Sequence, residues 1–173
     1  MRLKSGTLIT KKLTTEELHR LLLRNQDTAN FYRGVFPSDL LPRCGFVLER
    51  NPTLIIVNHA DSNSPGTHWS LLYFPHKSLN NGSPYYFDSF GRSPADQIEI
   101  YNFLRKNGLD ISYNRLKLQH HQSNSCGYFV LAVAWLLSRG VNPDLISSYF
   151  DHRMPERNDN LLKNLVRKEF QLT

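Results

Sequence analysis

The feature that most constrains the fold is a run of ten apolar residues, 128–137, which directly follows Cys126 and Gly127. The run is too short to span a membrane, which takes about 18 apolar residues or more. Its two alanines, its three leucines and its end at Ser138-Arg139-Gly140 favour a helix over a strand. Because such a helix has no polar face, we expect it to be central and buried on most sides.

The other segments predict a small sheet packed by helices. Strands are indicated by the β-branched and aromatic segments Thr53–Val57, His68–Phe74 and PYYFD ending at Asp88, and by the alternation within residues 111–119. The second and third strands are predicted to form a hairpin with a longer loop, which turns at residues 80–83. Residues 31–42 are turn-rich and aromatic. The fold class is therefore α+β, with a mostly antiparallel sheet.

Four further helices follow from start signals and apolar spacing. A capping-box-like Thr14-Thr15-Glu16-Glu17 predicts the first, and Ser93-Pro94 predicts one that Gly108 ends. Asn142-Pro143 starts a short helix, and residues 159–171 form an amphipathic one. The apolar side of this last helix is predicted to hold Leu161, Leu162, Leu165, Val166 and Phe170.

Length and composition limit the class of protein. With 173 residues, 40% of them hydrophobic and 21% charged, the chain suits one compact domain spanning residues 1–173. The N-terminal residues lack the apolar core of a signal peptide. Two cysteines, Cys44 and Cys126, are not a disulfide framework, so we expect an intracellular, reducing location.

The basic residues are concentrated toward the two ends of the chain. The formal net charge is +6, and residues 51–110 are close to neutral. A polyanionic partner such as nucleic acid fits this distribution, and so does a surface that only improves solubility. No nucleic-acid-binding motif is visible, so the sequence leaves both interpretations open.

The position of Cys126 is suited to a nucleophile. A thiol at a helix N-terminus is stabilised as a thiolate by free N–H groups and the helix dipole. Gly127 leaves room for an incoming carbonyl group. A lone cysteine at such a place is more often only a small buried residue, and Cys44, with no base nearby in sequence, fits that description.

A thiolate nucleophile needs an imidazole as its base and a third group to orient that imidazole. Of seven histidines, His68 is the best placed, because it begins a strand after a glycine-containing loop and precedes the rigid Trp69. Asp88 ends the neighbouring hairpin strand and can orient His68, although Asp also commonly starts a turn. Asp61 is a rival in the polar loop.

Two further features concern the oxyanion and metal. The Cys126 N–H and a side-chain amide would bind the oxyanion, and Gln119 and Gln122 are both candidates for that amide. His120 and His121 lie near Cys126, but His-His-x4-Cys is not a zinc spacing, so we expect no metal.

Taken in order, these pieces resemble the adenovirus-type cysteine endopeptidases (adenain), relatives of the SUMO- and ubiquitin-like-specific proteases. Three blocks carry the resemblance: "IIVNHADSNSPGTHW", "YYFDSFG" and "LQHHQSNSCGYFVL". The segments "EELHRLLLRN" and "FYRGVFPSDLLP" resemble the opening of that family, so the resemblance covers about residues 14–140. It implies a papain-like or adenain-like fold in which the central helix carries the nucleophile.

The resemblance also implies roles for particular residues. It assigns Cys126 as nucleophile, His68 as base and Asp88 as its orienter, although adenoviral members often have Glu at the third position. It favours Gln119 as the oxyanion amide, because adenoviral members place this glutamine seven residues before the cysteine. Trp69 would be an aromatic wall that admits little more than glycine, with Gly127 beside it.

The activity implied is maturation of viral precursor proteins, cut after glycine-containing sites in the virion or host nucleus. The family further implies activation by DNA and by a short viral peptide. Since neither cysteine lies just upstream of the Gln119 block, we expect any such peptide to bind non-covalently. The class suggests a monomer without membrane association.

Two other functions remain open at this stage. The same residues would serve an enzyme that removes ubiquitin-like proteins at Gly-Gly tails. Alternatively, the chain could bind DNA or a capsid and carry a vestigial protease site. The presence of all four residues, His68, Asp88, Gln119 and Cys126, argues against the vestigial site.

Overall fold

The computed structural model describes residues 8–43, 52–76 and 83–172. Within these ranges the chain has the predicted α+β architecture, a five-stranded sheet with helices on both faces. The strands, which lie side by side in chain order, are β1 (Tyr32–Pro37), β2 (Thr53–Asn58), β3 (Trp69–Phe74), β4 (Tyr85–Asp88) and β5 (Ser112–Tyr113). The central strands β2, β3 and β4 pair antiparallel, whereas β1 and β5 join the two edges in parallel.

Four α-helices accompany the sheet in the described ranges: α1 (Thr15–Arg24), α2 (Ile98–Lys106), α3 (Cys126–Ser138) and α4 (Glu156–Phe170). As predicted, α3 is the central helix, and all its residues except Trp135 and Ser138 are buried. It packs with α1 and α4 on one face of the sheet, while α2 covers the other. No helix within the described ranges has the length and apolarity needed to cross a membrane.

Alternation along the central strands produces these two apolar layers. Leu71 and Phe87 point toward α3, and their neighbours Leu72 and Tyr86 point toward α2. Strands buried on both faces read as continuous apolar runs, as β2 does here. The sheet is thus held from both sides, which fixes the position of the strand ends.

Local start signals were the most informative part of the sequence. Thr14 caps α1 in a complete capping box with Glu17. Ser93 caps a short 3-10 turn at Pro94–Asp96, and α2 begins only after it. The segment after Asn142 is also a 3-10 helix, Pro143–Tyr149.

Three predictions about the secondary-structure elements were wrong. Residues 31–42, which read as turn-rich, contain the strand β1. Its pairing with β2 is irregular at Gly34, whose positive φ of 145° is a conformation that glycine adopts more readily than other residues. The predicted fourth strand is only Ser112–Tyr113, since Asn114 and the following residues leave the sheet. Leu161 of α4 is 44% exposed and lies off its apolar side. Most of the predicted turn at 80–83 lies outside the described residues.

Candidate active site

Cys126 is the first residue of α3, and this end of the helix meets the ends of β3 and β4. The residue is 8% exposed. The first N–H groups of a helix have no partner within it, and the helix dipole places partial positive charge there. The backbone N–H groups of Gly127 and Trp69 help to lower the pKa of the thiol.

The register of the β3–β4 hairpin brings His68 to Asp88. Ser70 lies directly opposite Asp88, and His68 is two residues further along, on the same face as Ser70. Such diagonal neighbours in an antiparallel pair are within reach of long side chains. His68 Nε2 is 3.1 Å from Asp88 Oδ2, as an ion pair rather than a well-aligned hydrogen bond. This contact leaves the other ring nitrogen, Nδ1, for the thiol.

The imidazolium of His68 and the anionic forms of Cys126 and Asp88 stabilise each other. Burial alone lowers the pKa of His68, but interactions with Asp88 and Cys126 outweigh it and raise that pKa to about 9. Burial alone raises the pKa of Cys126, but the hydrogen bond and the charge of His68 bring it below its ordinary value. The resting state favoured by these shifts is a thiolate beside an imidazolium.

Asp88 is fully buried and firmly held. Its Oδ1 accepts a hydrogen bond of 2.7 Å from the backbone N–H of Phe90, which leaves Oδ2 facing the histidines. Asn114 clamps the end of β4 by accepting from the Asp88 N–H and donating to the Asp88 carbonyl. Burial raises the pKa of Asp88, but His68 and the Phe90 N–H outweigh it, so the pKa is lowered. The carboxylate is therefore charged and fixed in place.

Gln119 is buried in the loop that leads to Cys126. Its Oε1 accepts a hydrogen bond of 2.6 Å from Ser89, next to Asp88, and its Nε2 donates to the Ser123 carbonyl at 2.6 Å. An amide nitrogen carries two donors, so this bond uses only one. The alternative candidate, Gln122, is exposed.

Trp69 and Gly127 lie against each other beside Cys126. A side chain at position 127 would bring its Cβ to 3.1 Å from Leu13 Cβ and 3.4 Å from Trp69 Cδ1. The Trp69 indole is only 6% exposed and donates from Nε1 to the Leu13 carbonyl at 3.1 Å. A larger residue at position 127 would therefore press against Leu13 and Trp69.

Sequence reasoning gave no role to His59, another of the seven histidines. His59 Nε2 lies 3.9 Å from Asp88 Oδ2 and 3.1 Å from the Ser70 hydroxyl. Its ring meets that of His68 edge-on with centroids 4.8 Å apart. Burial and the charge of His68 lower the pKa of His59 to about 4, so it is neutral. The antiparallel pairing of β2 with β3 could have indicated His59, because it places residue 59 opposite residue 68.

The other candidates lie apart from this cluster. Asp61 is exposed, and His19 bonds Tyr32 instead. The rings of His120 and His121 contact each other at a tilt, with centroids 4.4 Å apart. In the described part of the chain these two residues and Cys126 do not come close enough together to hold one metal ion. Cys44 lies outside the described residues.

Two kinds of comparison relate the chain to known proteins; no protein-family model matches it. In sequence, it is 37% identical over 81 residues to a thiol protease of Acanthamoeba polyphaga mimivirus. The match covers 43% of this chain and 26% of that protein, so the chain corresponds to only part of its relative.

In structure, the chain resembles two proteases. It superposes on the ASFV protease with a TM-score of 0.57 at 14% identity, covering 98% of this chain and 72% of that one. It superposes on the SUMO protease Ulp1 with a TM-score of 0.54 at 13% identity, covering 92% and 79%. The solved form of Ulp1 has its catalytic cysteine oxidised to a sulfonic acid.

The chain therefore has a cysteine-protease fold. Within that class the fold is of the SUMO-protease-like kind that Ulp1 and the ASFV protease share. The narrower resemblance to adenovirus-type endopeptidases rests on the sequence blocks alone.

Proposed function

We propose that the chain is a cysteine endopeptidase in which Cys126 is the nucleophile, His68 the base and Asp88 the group that orients His68. The observation that carries this proposal is the convergence of these three buried side chains at the N-terminus of α3. Residues 68, 88 and 126 are far apart in the chain, and packing of the core does not require three polar side chains at this position. The fold and the viral thiol-protease relative support the same conclusion.

The geometry suits acyl transfer. The Cys126 thiolate attacks the scissile carbonyl, and the imidazolium of His68 then gives its proton to the leaving amine. Asp88 holds the ring at Nε2 so that Nδ1 faces the sulfur. Water, deprotonated by the now neutral His68, hydrolyses the thioester and restores the thiolate.

The proposed oxyanion hole combines the Cys126 N–H with the side chain of Gln119. Ser89 and Ser123 fix the Gln119 amide, and its second N–H remains to be donated. Donors held rigidly before the reaction stabilise the developing charge without reorganisation. The exposure of Gln122 supports Gln119 for this role.

We further propose that cleavage follows glycine, in viral or virus-like precursor proteins. This proposal follows the sequence resemblance, which assigns Trp69 as an aromatic wall beside the thiol; Trp69 packs closely against Gly127 there. The viral relative supports a viral substrate. The alternative, a deconjugating enzyme that acts on Gly-Gly tails, uses the same site, and the fold shared with the SUMO protease Ulp1 supports testing it.

Mild alkylation near neutral pH, with mapping by mass spectrometry, tests the nucleophile. We expect fast labelling of Cys126, slow labelling of Cys44, and loss of the difference in His68→Ala. His120→Ala is the matched control and should label like the parent protein. Equal rates at both cysteines in the parent protein would refute an activated thiolate.

Substrate class is tested with glycine-rich precursor peptides beside ubiquitin-like fusions, each also assayed with Cys126→Ala. Cleavage of the peptides alone supports the endopeptidase, and cleavage of the fusions alone supports deconjugation. Adding DNA across a salt series examines the proposed polyanionic activator, because a gain that depends on phosphate contacts fades as salt rises.

A further inference from the structure

His59, His68 and Asp88 bring three potential metal ligands together. One ligand atom from each of the three residues lies within 4.8 Å of the others, and the Nε2 atoms of His59 and His68 are 3.9 Å and 3.1 Å from Asp88 Oδ2. The three side chains are only 6%, 8% and 0% exposed. The proposed reaction uses His68 and Asp88 but gives no task to His59.

The spacing of these atoms is somewhat wider than the spacing around a tetrahedral metal. Zinc–nitrogen distances of 2.0–2.1 Å place neighbouring ligand atoms roughly 3.3 Å apart. The two histidine nitrogens here lie 3.1 Å and 3.9 Å from the carboxylate oxygen. Two imidazoles on one zinc ion have ring centroids about 5 Å apart, and those of His59 and His68 are 4.8 Å apart. Small side-chain movements would complete the site.

The ligand atoms have few competing partners. His59 Nε2 contacts the Ser70 and Tyr86 hydroxyls at 3.1 Å and 3.3 Å, and a bound metal would replace these contacts. His68 Nε2 is buried and makes no aligned hydrogen bond, which is uncommon for a buried polar atom. Asp88 Oδ1 is held by the Phe90 N–H, whereas Oδ2 faces both rings and accepts only a long hydrogen bond of 3.5 Å from the Tyr86 hydroxyl. Two imidazoles and one carboxylate are a donor set that zinc accepts, with a fourth position left for water.

A cavity of about 430 Å³ provides access. It is lined by His59, Thr67, His68, Phe90, Arg92 and Gln97. The charge of Arg92 acts on His59 and opposes a cation. The carboxylate of Asp88, in direct contact with the ligand position, offsets that charge.

We propose that His59, His68 and Asp88 bind a divalent transition metal such as Zn²⁺, and that the bound metal inhibits the enzyme. The first part stands on the geometry; the second rests on the proposed function. Binding releases the Nε2 proton of His68 to solvent and forms a metal–nitrogen bond in its place. The ring then keeps one proton at Nδ1 and cannot become imidazolium, so it cannot both take and return the thiol proton.

Metal binding is measured first in Cys126→Ala, which removes the thiol as a competing ligand. Co²⁺ is titrated by visible absorption, and Zn²⁺ by competition against it. We expect His59→Gln to weaken binding by at least about 100-fold, since even groups that only support a ligand contribute 10–100-fold. His121→Gln, at an exposed histidine that contacts His120, is the matched control and should bind as tightly as the parent.

Inhibition is measured next in protein that retains Cys126, each variant relative to its own metal-free rate. We expect zinc to inhibit the parent and His121→Gln at the same concentration, and His59→Gln only at a much higher one. Thermal unfolding and a second variant, His59→Asn, separate loss of a ligand from loss of the fold. Unchanged affinity in both His59 variants, or binding that requires Cys126, would overturn the proposal. A chain with no peptidase activity would refute the proposed function and leave the binding result intact.

Discussion

The middle and the end of one hairpin, β3–β4, differ sharply in what they bury. In the middle, Leu71 pairs with Phe87 and Leu72 pairs with Tyr86, and all four are completely buried between helices. One step along, Ser70 pairs with Asp88, and both are also completely buried. The same strands and the same register thus carry an apolar core and a polar cluster side by side.

The difference shows which part of the hairpin stability alone explains. Burying apolar side chains stabilises the fold in proportion to the area removed from water. Burying a carboxylate costs free energy unless charged or hydrogen-bonding partners compensate it. Asp88 has those partners, but an apolar residue would satisfy the core more simply. We infer that the middle of the hairpin maintains the fold and that its end maintains the proposed chemistry.

The sharpest test of this division is Asp88→Asn. The amide keeps the shape of the side chain but removes the charge that stabilises the His68 imidazolium and fixes its tautomer. We expect kcat to fall on the order of 10⁴-fold, as when the acid of a triad is replaced by its amide. Steady-state kinetics on a glycine-containing peptide measure the effect, and circular dichroism checks that the fold persists.

Leu72→Ala is the matched change in the middle of the hairpin. Removing this fully buried side chain should lower the free energy of unfolding by about 2–5 kcal/mol and leave kcat of the folded protein nearly unchanged. Urea titration gives the stability. If Leu72→Ala lost activity while folded, or if Asp88→Asn lost only stability, the division between the two regions would fail.

Local signals explain what the sequence could predict. The Thr14 capping box, the apolar run of α3 and the hairpin strands each depend on neighbouring residues, and the structure has all three. The meeting of His68 and Asp88 followed from the hairpin. The strand β1 was missed because it is an edge strand with an irregularity at Gly34. Its parallel pairing with β2 joins segments that are not adjacent in the chain, so no local turn signal indicates it.

His59 shows where pattern reasoning stops. Its role depends on the exact register of β2 with β3, which sets residue 59 opposite residue 68 across a polar loop. Periodicity predicts that two strands exist, but a shift of one residue would turn His59 to the other face. The contacts of Gln119 with Ser89 and Ser123 likewise required the loop conformation.

The next prediction concerns the loop that leads to Cys126, where Gln119 contacts Ser89 beside the end of the hairpin. Gln119→Ala removes one oxyanion donor, and we expect kcat to fall about 10²–10³-fold with little change in KM. Gln122→Ala, an exposed glutamine three residues away, is the control and should retain nearly full activity. A crippling effect of Gln122→Ala with a mild one of Gln119→Ala would move the oxyanion donor to the other glutamine.

The smallest expected effect is the dependence on pH. Because the pKa of His68 is raised to about 9 and that of Cys126 is lowered, the imidazolium–thiolate pair persists up to about pH 9. Above it His68 loses the proton that the leaving amine needs, so kcat should fall about tenfold per pH unit. Alkylation of Cys126 needs only the thiolate and should stay level over the same range.

Comparing the pH profile of kcat with that of alkylation separates the titration of His68 from that of Cys126. In Asp88→Asn, burial is no longer opposed by the carboxylate, so the pKa of His68 should drop and the alkaline limb of activity should move to lower pH. Leu72→Ala leaves the ion pair intact and should keep the limb near pH 9. If alkylation and peptidase activity fell together in the parent protein while circular dichroism stayed constant, the alkaline limb would report the thiol and not the imidazole.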